Sequence, residues 1–207
     1  MTQRLGKPPD EFTVPPVIKR LPAGTRVFRV YFRGGAHPST WDHFRDFGPT
    51  GSRFDHHTLP KRPQGRAIMY VTMGKDAILT ALAEVFQVTR HIDRSLNDPW
   101  LAAFDLSTPL PLLNTDSPWT TQAGGNMALN SGLRSRSREW SRCIYRSYPK
   151  VVGIAYPSSL TSKPCAAFYE RAASAVPSHP QLNLPLTHPA LGSNLLASAA
   201  QLNFTIS

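Results

Sequence analysis

Three residues of complementary chemistry fall on three consecutive stretches of this chain. Arg53 lies in the loop-forming run Gly48-Pro49-Thr50-Gly51-Ser52-Arg53-Phe54-Asp55, Tyr70 in the short apolar run Ala67–Thr72, and Glu84 in the middle of a helical pattern that starts at Asp76 and ends near Arg90. A guanidinium grips phosphate or carboxylate in a two-pronged bond. A phenol ring stacks on a flat heterocycle. A carboxylate stabilises developing positive charge or orients a hydroxyl. Together they describe a site for a charged, ring-bearing small molecule. Arg29, inside an aromatic strand, and Ser158, where a strand runs into a loop, are further candidates, because strand ends and loops carry ligand contacts.

The elements that must position these residues follow from pattern. Thr25–Phe32 reads as a strand, rich in β-branched and aromatic residues. Alternation puts Phe28, Val30 and Phe32 on one wholly apolar face, the expected core, and Val27, Arg29 and Tyr31 on the other. Arg29 is then either solvated or lining a cleft. Gly48, Pro49 and Gly51 make a loop that brings backbone N–H groups close to ligands. His56 and His57 are adjacent, poor geometry for one metal, and no metal is expected. Thr58–Arg66 reads as an exposed basic loop and Ile68–Thr72 as a short buried strand ended by Gly74. Asp76 is the expected N-cap of a helix over Ala77–His91. Its core face is Ile78, Leu82, Val85 and Phe86; Thr80, Glu84, Gln87 and His91 form one polar stripe. On periodicity alone Glu84 is an ordinary solvated residue. A functional role requires that stripe to face a cleft.

The remainder supplies scaffold. Residues 1–24 hold five prolines and read as a leader draped over the domain, which is expected over 25–207. Trp100–Leu106, Lys150–Tyr156 and Pro164–Tyr169 are strand candidates. Asn126–Leu133, Ser137–Ser147 and Asn194–Ala200 are helix candidates. In the second of these, Trp140 and Ile144 share one side, and Arg138, Arg142 and Arg146 form a basic stripe.

A chain of 207 residues suits one domain with a self-sufficient core. Charged residues make up 17%, below the soluble average of about 25%, which argues against disorder. The net charge of +10 and pI near 10.1 favour anionic partners, or simply mark a basic surface. No run of five like charges forms a basic tail. Two cysteines specify neither a disulfide framework nor a metal set, and fit a reduced compartment. No signal-like segment opens the chain and no stretch approaches the ~18 apolar residues of a membrane span. The expected location is the cytoplasm, without a membrane. Neither glycine-rich phosphate loop, nor GxSxG, nor HExxH occurs.

Taken in order, several segments resemble the RES domain, named for an arginine, a glutamate and a serine. Phe28-Arg29-Val30 is similar to its opening aromatic–Arg–aliphatic strand. Gly51-Ser52-Arg53-Phe54-Asp55 is similar to its glycine–arginine–tryptophan loop, with Ser52 and Phe54 departing from the usual residues. Ile68-Met69-Tyr70, Ala81-Leu82-Ala83-Glu84 and Gly153-Ile154-Ala155-Tyr156-Pro157-Ser158 are similar to its tyrosine strand, glutamate helix and late serine strand end. Ser159 competes for the serine position. The motifs span residues 26–168. The resemblance implies a single α+β domain, a mixed, mostly antiparallel sheet flanked by helices, ADP-ribosyltransferase-like. It implies a toxin of a toxin–antitoxin pair that consumes NAD⁺ by attack on the nicotinamide–ribose bond. Arg53, Tyr70 and Glu84 would be catalytic; Arg29, Arg53, Tyr70 and Ser158 would bind NAD⁺, with Ser158 bonded to the substrate. Water or phosphate would accept the ADP-ribose. A separately encoded helix-turn-helix antitoxin is the implied partner, and a homo-oligomer stays open.

Two other readings stand beside this one. The pI and the arginines at 134, 136, 138, 142 and 146 fit a nucleic-acid-binding module or an inactive relative, although no nucleic-acid motif is present and direct nucleic-acid binding is not expected. An ADP-ribosyltransferase that modifies a macromolecule would use the same pocket.

Overall fold

β-Branched and aromatic runs in this chain find partners far away in sequence, and one large sheet results. The computed structural model describes residues 4–207. In chain order the elements begin with β1 (Ile18–Leu21), β2 (Arg26–Phe32), β3 (Arg45–Gly48), β4 (Arg62–Met73) and α1 (Ala77–Phe86). They continue with β5 (His91–Ile92), β6 (Pro99–Asp105), β7 (Leu110–Asn114), α2 (Trp119–Gln122), α3 (Ala128–Ser131) and α4 (Arg134–Ser147). The last are β8 (Gly153–Pro157), β9 (Pro164–Tyr169), β10 (Leu182–Pro185), α5 (Gly192–Leu202) and β11 (Thr205–Ile206).

The main sheet runs β1-β7-β8-β9-β4-β2-β6-β10, with β3 also paired to β4. Every pairing in it is antiparallel except β7 with β8. A single domain with a mixed, mostly antiparallel sheet flanked by helices is therefore the architecture. Three apolar clusters hold it. Trp119, Trp140, Ile144 and Phe54 pack under α2 and α4. Val27, Met69, Phe104 and Phe168 form the second cluster. Leu82, Phe86, Leu101 and Leu195 join α1 and α5 to the sheet.

Several expectations change. The boundary at residue 24 falls inside one sheet, because Ile18–Leu21 pairs with Leu110–Leu113. The proline-rich segment also enters the core: buried Phe12 lies 5.3 Å from Trp119 and 5.2 Å from Trp140. Arg62–Arg66, expected as loop, is the outer end of β4, where Pro63 sits opposite Phe47. Helix α1 stops at Phe86, and Arg90, with φ of 50°, turns the chain so that His91 begins a strand. On β2 the buried residues are Val27 and Tyr31. The face with Phe28, Val30 and Phe32, expected as core, is core in part: Val30 packs on the Leu82–Phe86 cluster and Phe32 lies 6.5 Å from Phe86, while all three also line a cleft. Both faces of β2 are covered, so alternation alone did not distinguish them.

Candidate active site

The cleft lies where two neighbouring strands part. β2 and β4 pair only at Val27–Met73 and Phe28–Thr72, and residues from both strands beyond that ladder line a cavity of about 850 Å³. Arg29, Arg53, Tyr70 and Glu84 all line it, as do Arg45, Arg134, Tyr156 and Ser159.

Arg53 is placed by the anchoring of its neighbours. Asp55 is fully buried and accepts from Thr50 N–H (2.6 Å), Thr50 Oγ1 (2.7 Å), Arg45 (3.1 Å) and His57 N–H (2.9 Å). Its other contact is His57 Nδ1 at 2.7 Å. Burial works to raise the Asp55 pKa, but the bonds from His57 and Thr50 prevail and hold it well below the carboxylate range. Phe54 is buried against Tyr156, ring centroids 4.6 Å apart, and its carbonyl accepts from Ser141 Oγ at 2.7 Å. The Arg53 guanidinium donates to Gly132 O (2.7 Å) and Ser137 Oγ (3.3 Å). Burial and then the Arg134 charge lower its pKa; Glu84 is the carboxylate that offsets them.

Tyr70 follows Ile68 on one face of β4 and its hydroxyl is buried without a hydrogen-bond partner. Burial, against the opposing charge of Arg45, pushes its phenol pKa up, so it stays a neutral donor. Arg29 is partly buried and lines the cleft. Its guanidinium lies under the segment after β2 and donates to Trp41 O (3.2 Å) and His43 O (2.9 Å), while buried Nε has no partner. Burial lowers its pKa to about 10, still far above neutrality.

Glu84 is partly buried and reaches Ser158. The Ser158 hydroxyl donates to Glu84 Oε1 at 2.7 Å and accepts from the N–H groups of Leu160 (3.1 Å) and Thr161 (3.2 Å). Ser158 is itself 3% exposed, and of the two adjacent serines it is Ser159 that lines the cavity. Two further links hold the segment after β8 onto α1: Thr80 Oγ1 to Thr161 Oγ1 at 3.0 Å, and Lys163 to Asp76 at 2.8 Å. Asp76 therefore spends its side chain on Lys163 and makes no cap bond. The polar side of α1 faces this segment and the cleft, with Gln87 accepting from Arg134 at 2.6 Å.

Sequence reasoning did not single out Arg45 or Arg134 as cleft-lining residues, nor Asp55 as the anchor of the Arg53 loop. Thr50 and Asp55 bracketing a glycine-containing loop carried a signal for a hydrogen-bonded turn; the Arg134–Gln87 contact, 47 residues apart, carried none. His56 and His57 are both buried, His56 between Tyr145 and Tyr169 at ring distances of 4.4 and 4.5 Å. Among the described residues no group of three or more His, Cys, Asp or Glu forms a metal-type cluster. No described helix is long and apolar enough to cross a membrane.

The cleft thus combines fixed cations, a neutral phenol donor and an oriented carboxylate. No protein-family model matches the sequence, and no curated protein matches it. Among solved structures the chain is similar to a chain in the crystal structure of the M. tuberculosis MbcT-MbcA toxin-antitoxin complex. The TM-score is 0.56 at 15% identity, over 86% of this chain and 92% of that one. At that identity the likeness concerns the fold.

Proposed function

We propose that the protein is an enzymatic toxin that takes NAD⁺ as substrate in this cleft and cleaves the nicotinamide–ribose bond. The observation that carries this reading is the Ser158–Glu84 hydrogen bond, which holds a carboxylate in a cleft shared with Arg53 and Tyr70. The C1′–N bond breaks, its electron pair stays on nicotinamide, and the ribose carbon passes through an oxocarbenium-like state. Glu84 stabilises that charge or orients a ribose hydroxyl. Water or phosphate then forms the new C1′–O bond, and water loses a proton in doing so. Arg53 grips the pyrophosphate. Tyr70 stacks on the nicotinamide or donates its unpartnered hydroxyl. Arg29, with one unpartnered Nε–H, supports the anion side.

The fold likeness to a toxin–antitoxin complex supports the toxin role and an antitoxin partner, which we take to be a separate helix-turn-helix protein. Two buried free cysteines suit the cytoplasm, where NAD⁺ would be depleted. The test is NAD⁺ concentration over time with purified wild type and Glu84→Gln, with and without phosphate. Loss with wild type alone is expected, and its phosphate dependence names the acceptor. No loss with folded wild-type protein overturns the reading.

A further inference from the structure

We propose that a second, separate pocket binds a compact phosphate-bearing anion of pyrophosphate size. It has a volume of about 330 Å³ and shares no lining residue with the cleft. That volume is at the lower end for small-molecule sites, roughly 300–1,000 Å³. Four cations line it: Lys7, Arg66, Arg142 and Arg146. Two carboxylates accompany them, Asp10 and Glu139, and Glu139 is already ion-paired to Arg136, which lies outside the pocket.

The walls are built. Cys143 Sγ donates to Pro9 O at 3.2 Å and Arg146 donates to Asp10 O at 3.2 Å, so the N-terminal segment is fastened along α4. Arg66 donates to His56 O at 2.8 Å and lies 4.9 Å over the Tyr145 ring, which fixes its guanidinium. Arg142 is the exception. It sits one turn from Arg138 and one turn from Arg146 on α4, is partly buried, and makes no hydrogen bond or ion pair among the described residues. A partly desolvated guanidinium is costly where its counter-charge is shared, and Glu139, the carboxylate that acts on it most, is already paired to Arg136. Burial lowers its pKa; the charges of Glu139 and Asp55 oppose this, while those of Arg138 and Arg146 act with it. A multivalent oxyanion relieves this, and planar guanidinium forks match phosphate oxygens.

A nucleic-acid strand fits the observations less well. It needs a continuous row of free cations, but Arg134 is engaged with Gln87 and Arg136 with Glu139. The pocket is a concave spot on an interrupted stripe.

The test is thermal unfolding of the full chain titrated with inorganic pyrophosphate, against sodium chloride of equal ionic strength. The expected result is a rise of about 3 °C or more near saturation, absent with chloride. Arg142→Gln is expected to weaken apparent affinity about tenfold or more. Lys7→Gln, at an exposed position, and Arg146→Gln, which also gives up the bond to Asp10 O, each weaken it by a few-fold. In Arg53→Lys, which removes the guanidinium proposed to grip pyrophosphate in the cleft, the rise persists, because the second pocket does not include Arg53. The proposal is overturned by an absent rise, by a rise that chloride reproduces, or by one that Arg53→Lys abolishes while Lys7→Gln and Arg146→Gln do not. Tighter binding of a single-stranded oligonucleotide than of pyrophosphate overturns it too. None of these readouts uses NAD⁺ turnover.

Discussion

The Ser158 hydroxyl gives its only proton to Glu84, across 2.7 Å. A serine hydroxyl has one donor and two acceptor sites. Both acceptor sites are taken by the N–H groups of Leu160 and Thr161, so the proton has one destination. The serine is therefore a positioning group for the carboxylate, and the loop it belongs to is tied to the same helix.

Ser158→Ala removes the donor and leaves two backbone N–H groups in need of a partner. The expected loss of stability is about 1–3 kcal/mol. Under the proposed reaction, kcat falls about tenfold to a hundredfold, because the carboxylate is no longer held in one orientation. Glu84→Gln keeps the shape and removes the charge, and is expected to cost more in kcat, about 10²–10³. Steady-state NAD⁺ consumption beside urea unfolding separates the two effects. A Ser158→Ala enzyme with unchanged kcat would remove the positioning role.

Arg53→Lys tests whether a fork or a charge is needed. The guanidinium spends contacts on Gly132 O and Ser137 Oγ while it lines the cleft. An ammonium is a compact point charge and does not reproduce that planar set of donors. kcat/KM for NAD⁺ is expected to fall about tenfold to a hundredfold, with KM carrying most of the change. Equal KM values for the two proteins would rule out a pyrophosphate role for Arg53.

The strands around Trp100–Asp105 and Pro164–Tyr169 and the helices near α4 and α5 are legible in sequence, because apolar periodicity survives there. β1 and β7 are not: their neighbouring prolines read as punctuation, yet Pro111 sits in β7 opposite Arg20. The helix carrying Glu84 shows a polar stripe, but period alone does not tell solvent from cleft. That difference is made by the Ser158–Lys163 segment, 74 residues beyond Glu84 at its nearest contact. Arg29 fails for a related reason. Its burial depends on the carbonyls of Trp41 and His43, in a stretch with no regular pattern.

Gly48→Ala tests the anchoring of the Arg53 loop. A Cβ at this position would lie 2.4 Å from His57 Cγ and 2.7 Å from His57 Cβ. His57 is buried and locked to Asp55, so it has little room to yield. The expected cost is about 1–3 kcal/mol, read as a lower urea midpoint at unchanged slope. Under the proposed reaction, NAD⁺ turnover falls with it, since the same loop presents Arg53. A variant of wild-type stability would mean that His57 moves freely.

Acid lability follows from three groups that act in one direction. Burial lowers the His56 pKa from 6.5, so below that value the unfolded chain takes up a proton that the folded chain resists. Glu170 is held at about 2, against burial, by the His56 ring 3.8 Å away and by bonds from Tyr145 and the Ala67 N–H; its ordinary value is 4.5. A depressed carboxylate stabilises the fold above its unfolded pKa and loses that contribution as pH falls toward its folded one. Asp55 is depressed further by His57 and Thr50 and adds to the same loss. Stability is therefore expected to decline below about pH 6.5 and more steeply between pH 4.5 and 2. Glu170 accounts for at most about 3 kcal/mol of this. In Glu170→Gln the protein is weaker at pH 7 and its profile is flatter below pH 4.5. Urea unfolding of both proteins from pH 7 to 3 reads this directly. Parallel profiles would show that Glu170 is not the group being titrated.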